Sequence, residues 1–152
     1  MKLPPAVMVH GLEHARAALA PGLPVTLLSA PAAGVYAGVG WWRALVTLAA
    51  EGGTAPPNIL DCGEATGRAL EALRAGQPLL VVRAEPALFN DIVERAAQLG
   101  AAVLAEAPPA LDLGRQGALR RLDAWLGDEG EVKKGQGSAL DPLGPEAPDP
   151  IC

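Results

Sequence analysis

The chain has 152 residues, half of them hydrophobic and 19% charged, with a formal net charge of −5. That apolar content supports a packed core and excludes disorder of the whole chain. Its Lys and Arg form no clustered stripe, which excludes the usual basis for binding nucleic acid or an anionic membrane surface, because neutralising phosphates requires such clusters.

No apolar run approaches the roughly 18 residues of a membrane span. The N-terminal MKLPPAVMVHGLEHAR differs from a secretory signal, because His10, Glu13 and His14 interrupt a short apolar stretch. The two cysteines, Cys62 and Cys152, make neither a disulfide framework nor a zinc-ligand spacing. The expectation is a cytoplasmic protein with no metal and no cofactor. Abundant Ala, Gly and Pro, with Arg well in excess of Lys, fit a GC-rich bacterial gene.

In chain order, short apolar runs alternate with helical patterns. Val7–Val9 ends at His10-Gly11, and a helical stretch from Leu12 to Ala20 stops at Pro21-Gly22. Val25–Leu28 leads to Ser29-Ala30-Pro31. A Gly-broken loop from Ala32 to Gly40 opens a helix through Ala50, whose apolar stripe of Val39, Trp42, Val46 and Ala49 is widened by Trp41, Leu45 and Leu48. So broad a stripe predicts a helix covered on more than one side. Asn58–Leu60 delivers Asp61-Cys62-Gly63, and the next helix runs from about Glu64 to Ala75 with Gly76 as its C-cap. Leu79–Val82 ends at Arg83. Glu85-Pro86 opens a further helix, with Leu88, Ile92, Ala96 and Leu99 inward. Ala101–Ala105 ends at Glu106, and Gln116–Leu126 forms one more amphipathic helix.

Apolar runs of four to six residues without polar alternation read as strands buried on both faces. Their regular alternation with helices predicts a single three-layer α/β domain over 1–126, with a four- or five-stranded, mostly parallel sheet covered by helices on both sides. A flavodoxin-like or Rossmann-like order is the natural expectation. The rival is a smaller sheet in which Val7–Val9 pairs at an edge or not at all. From 127 to 152 the composition turns to Gly, Pro, Ala and charge, which predicts an extended low-complexity tail.

A parallel sheet places ligands outside the carboxyl ends of its strands. Those ends carry His10, Ser29, Asp61, Cys62, Gly63, Arg83 and Glu106. His10, Ser29, Asp61, Gly63, Arg83 and Glu106 are therefore the candidate ligand-binding residues. The same positions also suit turn formers and caps at strand exits.

The segment Cys62-Gly63-Glu64-Ala65-Thr66-Gly67-Arg68 has a cysteine and an arginine six positions apart on a strand–loop–helix. It resembles the phosphate loop of tyrosine phosphatases and the related rhodanese-type loops. That resemblance, confined to seven residues, implies Cys62 as nucleophile, activated at a helix N-terminus, and Arg68 as anion clamp. The alternative is a buried strand-end cysteine acting as a small hydrophobe. Asp61 before it would raise a thiol pKa. His10 could pair with Cys62 as thiol and imidazole if their strands are neighbours. The Gly34–Gly40 stretch lacks the Lys-Ser/Thr of a P-loop, and its glycines suit close helix–sheet packing. Ser29 lacks the nucleophile-elbow pattern.

Two functional expectations follow. The first is a non-catalytic module that binds a small molecule or a protein and acts as a homo-oligomer, motivated by the tryptophan pair and the broad stripe. The second is a small cysteine-dependent enzyme or anion-binding protein built on Cys62 and Arg68.

Overall fold

The computed structural model describes residues 2–127; apart from Gly127, the tail expected over 127–152 lies outside the described residues. The strands are β1 (Ala6–Val9), β2 (Thr26–Ser29), β3 (Asn58–Asp61), β4 (Leu79–Val81), β5 (Ala102–Leu104) and β6 (Ala110–Asp112). Between them lie α1 (Leu12–Leu19), α2 (Ala33–Tyr36), α3 (Val39–Ala49), α4 (Thr66–Arg74) and α5 (Pro86–Gln98). A 3-10 turn over Leu119–Arg121 precedes a last helical turn at 122–127. The helix expected from Gln116 is shortened at its start, where Gly117 adopts φ +80°.

All strands pair in parallel, in the order β5-β4-β3-β2-β1-β6. The α/β class and the single parallel sheet follow the sequence. Among the described residues the strand count is six rather than four or five, and the order is not that of flavodoxin. β6 escaped notice because its three residues follow Pro108-Pro109 and its apolar content is only Ala110-Leu111. β1 is paired on both sides, with Val7 opposite Leu27 on one flank and Leu111 on the other.

From β1 to β5 each strand lies beside its predecessor. A right-handed crossover that always advances in one direction delivers every connecting helix to the same face. The larger core fits this rule. Val7, Val9, Leu27, Leu60, Cys62, Leu80 and Val82 meet Ala15 and Ala18 of α1, Trp42, Leu45 and Val46 of α3, Ala69 and Leu73 of α4, and Ile92 and Ala96 of α5. Helices on both faces were expected; one-way winding gathers α1, α3, α4 and α5 on one. The second face holds a smaller core of Leu28, Ile59, Leu79 and Val81, covered by Leu3, Met8, Ala107 and Ala110 from chain segments rather than from a helix.

That arrangement demands a coiled sheet. Leu104 and Ala110 belong to strands at opposite ends of the order, joined only by 105–109. Six residue steps reach about 20–22 Å at full extension, whereas five strand spacings of a flat sheet need about 24 Å. The edges therefore bend toward the second face, which is how Ile59 and Val81 become fully buried without helical cover.

At the amino ends of the strands a buried polar hub locks helix to sheet. Trp42 Nε1 donates to Asn58 Oδ1 at 3.0 Å, and Gln77 Nε2 donates to the same oxygen at 2.9 Å. Gln77 also donates to the Leu79 carbonyl at 2.9 Å. Trp125 Nε1 ties the last helical turn to the Ala6 carbonyl at 2.8 Å.

Candidate functional site

The carboxyl ends of the strands form the rim where the sequence placed a site, and the pleat divides its residues between two faces. Register sets Cys62 and Ser29 toward the helices, and Asp61 toward the second face. Ser29 Oγ accepts the Asp61 N–H at 2.9 Å and donates to the Ala30 carbonyl at 3.0 Å, so it straps β2 to β3 inside the core.

Cys62 is fully buried. Burial first, then the negative charges of Asp61 and Glu71, push its thiol up to about 11. A nucleophile needs the opposite shift. Gly34 of α2 presses against it: a Cβ at Gly34 would lie 2.9 Å from Cys62 Sγ and 3.2 Å from the Asp61 carbonyl oxygen. The loop after β3 is also satisfied internally. The Gly63 N–H donates to Asp61 Oδ1 at 2.8 Å, and the Ala65 N–H donates to the Cys62 carbonyl at 3.0 Å. Those donors would have to face an anion in a phosphate cradle. Arg68 lies on the exposed side of α4 and pairs with Glu71 at 2.9 Å. The geometry thus supplies neither thiolate nor cradle, and the cysteine behaves as a small core side chain.

Nor does Cys62 meet His10, because β2 separates their strands. His10 turns instead to β6, where its Nε2 donates to Asp112 Oδ1 at 2.7 Å. The Gly114 N–H donates to the same oxygen at 2.8 Å, and the His10 N–H donates to His14 Nδ1 at 3.1 Å. Burial alone would raise the Asp112 carboxyl, but the His10 and Gly114 hydrogen bonds and the charges of His10 and Arg115 outweigh it and hold it below the usual carboxylate range. A Cβ on Gly114 would come within 2.9 Å of His10 Nε2, so the missing side chain makes room for the imidazole. The pair stands where the strand order reverses direction, between β1 and β6, a switch point of the kind that binds ligands in open α/β sheets. Sequence reasoning found His10 but missed Asp112 and Gly114. Asp112-Leu113-Gly114 after an apolar pair is a strand exit closed by an Asx-type turn, and that pattern was the available signal.

The remaining candidates converge on Arg83. Its backbone N–H donates to the Gly63 carbonyl at 2.8 Å, joining β4 to the loop after β3. Its Nη2 lies 3.6 Å from Oδ2 of the buried Asp61, while the rest of the side chain is half exposed. Two open grooves meet at this residue. One, of about 720 Å³, is lined by Val82, Arg83, Ala84, Pro86, Phe89, Asn90, Ala105, Glu106 and Ala107. The other, of about 600 Å³, is lined by Glu64, Thr66, Arg83, Ala84, Glu85 and Leu88. The structure therefore brings Asp61, Gly63, Arg83 and Glu106 together and leaves His10 three strand spacings away, about 14 Å along the sheet. Phe89 and Asn90, at the end of the first turn of α5 and the start of the second, are groove residues that the sequence did not single out; their helical spacing alone carried no functional signal.

Among the described residues, no group of His, Cys, Asp and Glu has the arrangement of a metal site, and no helix is long and apolar enough to cross a membrane. No protein-family model matches the chain, and no curated protein matches it.

Proposed function

We propose that the protein is a non-catalytic, small-molecule-binding module that acts as an oligomer, with its ligand seated in the larger groove beside Arg83. The observation that carries this reading is the meeting of both grooves at one half-exposed guanidinium on the rim of a parallel sheet. The larger groove falls in the usual range for small-ligand sites, about 300–1,000 Å³, and has their character: apolar walls with a few polar groups. Val82, Ala84, Pro86 and Phe89 would take the apolar body of the ligand. Arg83, oriented by the Asp61 carboxylate behind it, would take an anionic group such as a carboxylate or phosphate. Glu106 and Asn90 would read hydrogen-bond donors on its far side.

The test is a thermal-shift and calorimetric screen of apolar carboxylates and phosphomonoesters against the wild-type protein and Arg83→Gln. At least one compound should bind the wild type, and the variant should bind it at least tenfold more weakly. Undiminished binding by the variant, or a panel without any binder, would refute the assignment.

A further inference from the structure

The rim around Arg83 carries more negative charge than one guanidinium balances. Asp61 stands behind it, and Glu64, Glu85 and Glu106 line the two grooves that meet at it. Asp61 is only 2% exposed. Its Oδ1 accepts the Gly63 N–H. Among the described residues no donor bonds its Oδ2, and Arg83 Nη2, at 3.6 Å, stands too far for a hydrogen bond. A carboxylate oxygen so deeply buried is costly to leave without a donor, and this one lies beside the guanidinium that both grooves share. The Arg83 side chain likewise donates no hydrogen bond among the described residues, so its planar fork of N–H groups is uncommitted. Glu64, Glu85 and Glu106 are exposed and have no ion-pair partner among those residues. Nor do the first two cap a helix. Glu85 is the N-cap of α5 and makes no cap hydrogen bond, and Glu64 precedes the equally uncapped Ala65 of α4.

We infer that the ligand of this site is a free α-amino acid with an apolar side chain. The inference rests on the Arg83 reading and narrows its ligand class, adding an ammonium group to the apolar carboxylate. Three different environments diverge from one point. They are the guanidinium itself, the smaller groove with the Glu64 and Glu85 carboxylates and Thr66, and the larger groove with Val82, Pro86 and Phe89 in its walls. An α-carbon holds three different groups on one centre in the same way. The carboxylate would take the fork of Arg83, the ammonium the smaller groove, and the side chain the larger one against the Phe89 ring.

Charge decides between this class and a simple anion. Four carboxylates against one guanidinium leave the site with a formal surplus of negative charge. A phosphomonoester adds to that surplus, and like charges brought together in a contact cost affinity. A zwitterion leaves the total unchanged and sets its positive end among the carboxylates. Its ammonium also brings three donors to a site whose unmatched groups are acceptors: Asp61 Oδ2 and the carboxylates of Glu64 and Glu85.

Isothermal titration calorimetry of the full chain tests this with L-phenylalanine and L-leucine, with hydrocinnamate and isocaproate, which lack only the ammonium, and with phenethylamine, which lacks the carboxylate. At least one amino acid should bind, and at least about tenfold more tightly than its analogues, the scale of one lost charge-assisted hydrogen bond. Glu64→Gln/Glu85→Gln should weaken the amino acid at least about tenfold while leaving the analogue without ammonium unchanged or tighter, a crossover that loss of the fold does not produce. Glu13→Gln/Glu94→Gln, which removes two exposed charges outside both grooves, should behave as wild type. Arg83→Gln should weaken amino acid and carboxylate analogue alike. If hydrocinnamate or isocaproate binds as tightly as its amino acid, and Arg83→Gln weakens it, the amino-acid inference falls and the groove reading stands. If an amino acid binds regardless of Arg83, both fall. If neither amino acid binds, the inference falls, and the phosphomonoesters decide the groove reading separately.

Discussion

Replacing Asn58 by Ala isolates the polar hub that joins α3 to the sheet. Asn58 Oδ1 accepts from Trp42 Nε1 at 3.0 Å and from Gln77 Nε2 at 2.9 Å, and its own Nδ2 donates to the Pro56 carbonyl at 3.0 Å. Gln77 keeps the Leu79 carbonyl as an acceptor. Among the described residues, the indole N–H of fully buried Trp42 has no other partner. Leaving that donor unsatisfied costs about 1–3 kcal/mol, and the vacated side-chain volume adds about 1 kcal/mol. The expected loss is about 2–4 kcal/mol, which for a chain of this size lowers Tm by about 5–15 °C. Urea unfolding followed by circular dichroism should show a lower midpoint with an unchanged m-value. A Trp42→Phe partner completes a double-mutant cycle. In that background Asn58→Ala should cost at least about 1 kcal/mol less, because the orphaned donor is already gone. A single-variant loss below 1 kcal/mol, or additivity within about 0.5 kcal/mol, would falsify the account of the hub.

Two further outcomes concern the rim. Cys62, with its thiol at about 11 against an ordinary 9.0, should resist alkylation at pH 8 until the protein unfolds, and the folded state should lose stability as pH rises from about 9 to about 11, because the unfolded thiol ionises first. Cys62→Ala should flatten that alkaline limb; an unchanged limb, or rapid alkylation of Cys62 in native protein carrying Cys152→Ser, would contradict the burial argument. Asp112→Asn should remove a stabilisation of up to about 1 kcal/mol, the range of partly exposed pairs. Since the native Asp112 carboxyl titrates below its ordinary 3.8, the gap between wild type and variant should persist above that pH and close as pH falls through the native value. A gap that widened on acidification would overturn the His10–Asp112 assignment.

Five of the six strands were legible because Val7–Val9, Val25–Leu28, Asn58–Leu60, Leu79–Val82 and Ala101–Ala105 are mainly apolar runs, interrupted only by Thr26 and Asn58, the signature of strands buried on both faces. Strand order was not legible, since crossovers of similar length serve neighbouring and distant strands equally. The second face also misled the sequence reading. Its strand residues, Leu28, Ile59, Leu79 and Val81, are as apolar as those facing the helices, so apolarity alone implied helical cover that coiling of the sheet replaces. At the rim, position in the sequence gave strand-end residues but not the direction of their side chains. A one-residue step in the pleat sends Asp61 to the groove side and Cys62 into the core, and the Cys62–Arg68 spacing holds no information about that step. The aromatic pair was split in the same way: Trp41 and Trp42, adjacent in sequence, lie about 100° apart around α3, one outside and one in.

The order of the strands sets a timetable for assembly. Each of β2 to β5 pairs with the strand made before it, across helical connections of 16 to 28 residues, so pairing can advance in chain order as the chain leaves the ribosome. β6 breaks that progression: Ala110 must find Ala6, a partner made more than a hundred residues earlier. Until it arrives, β1 remains an open edge with unpaired backbone groups, the position from which strand exchange and aggregation begin. The closing strand, only three residues long, therefore guards the oldest part of the chain.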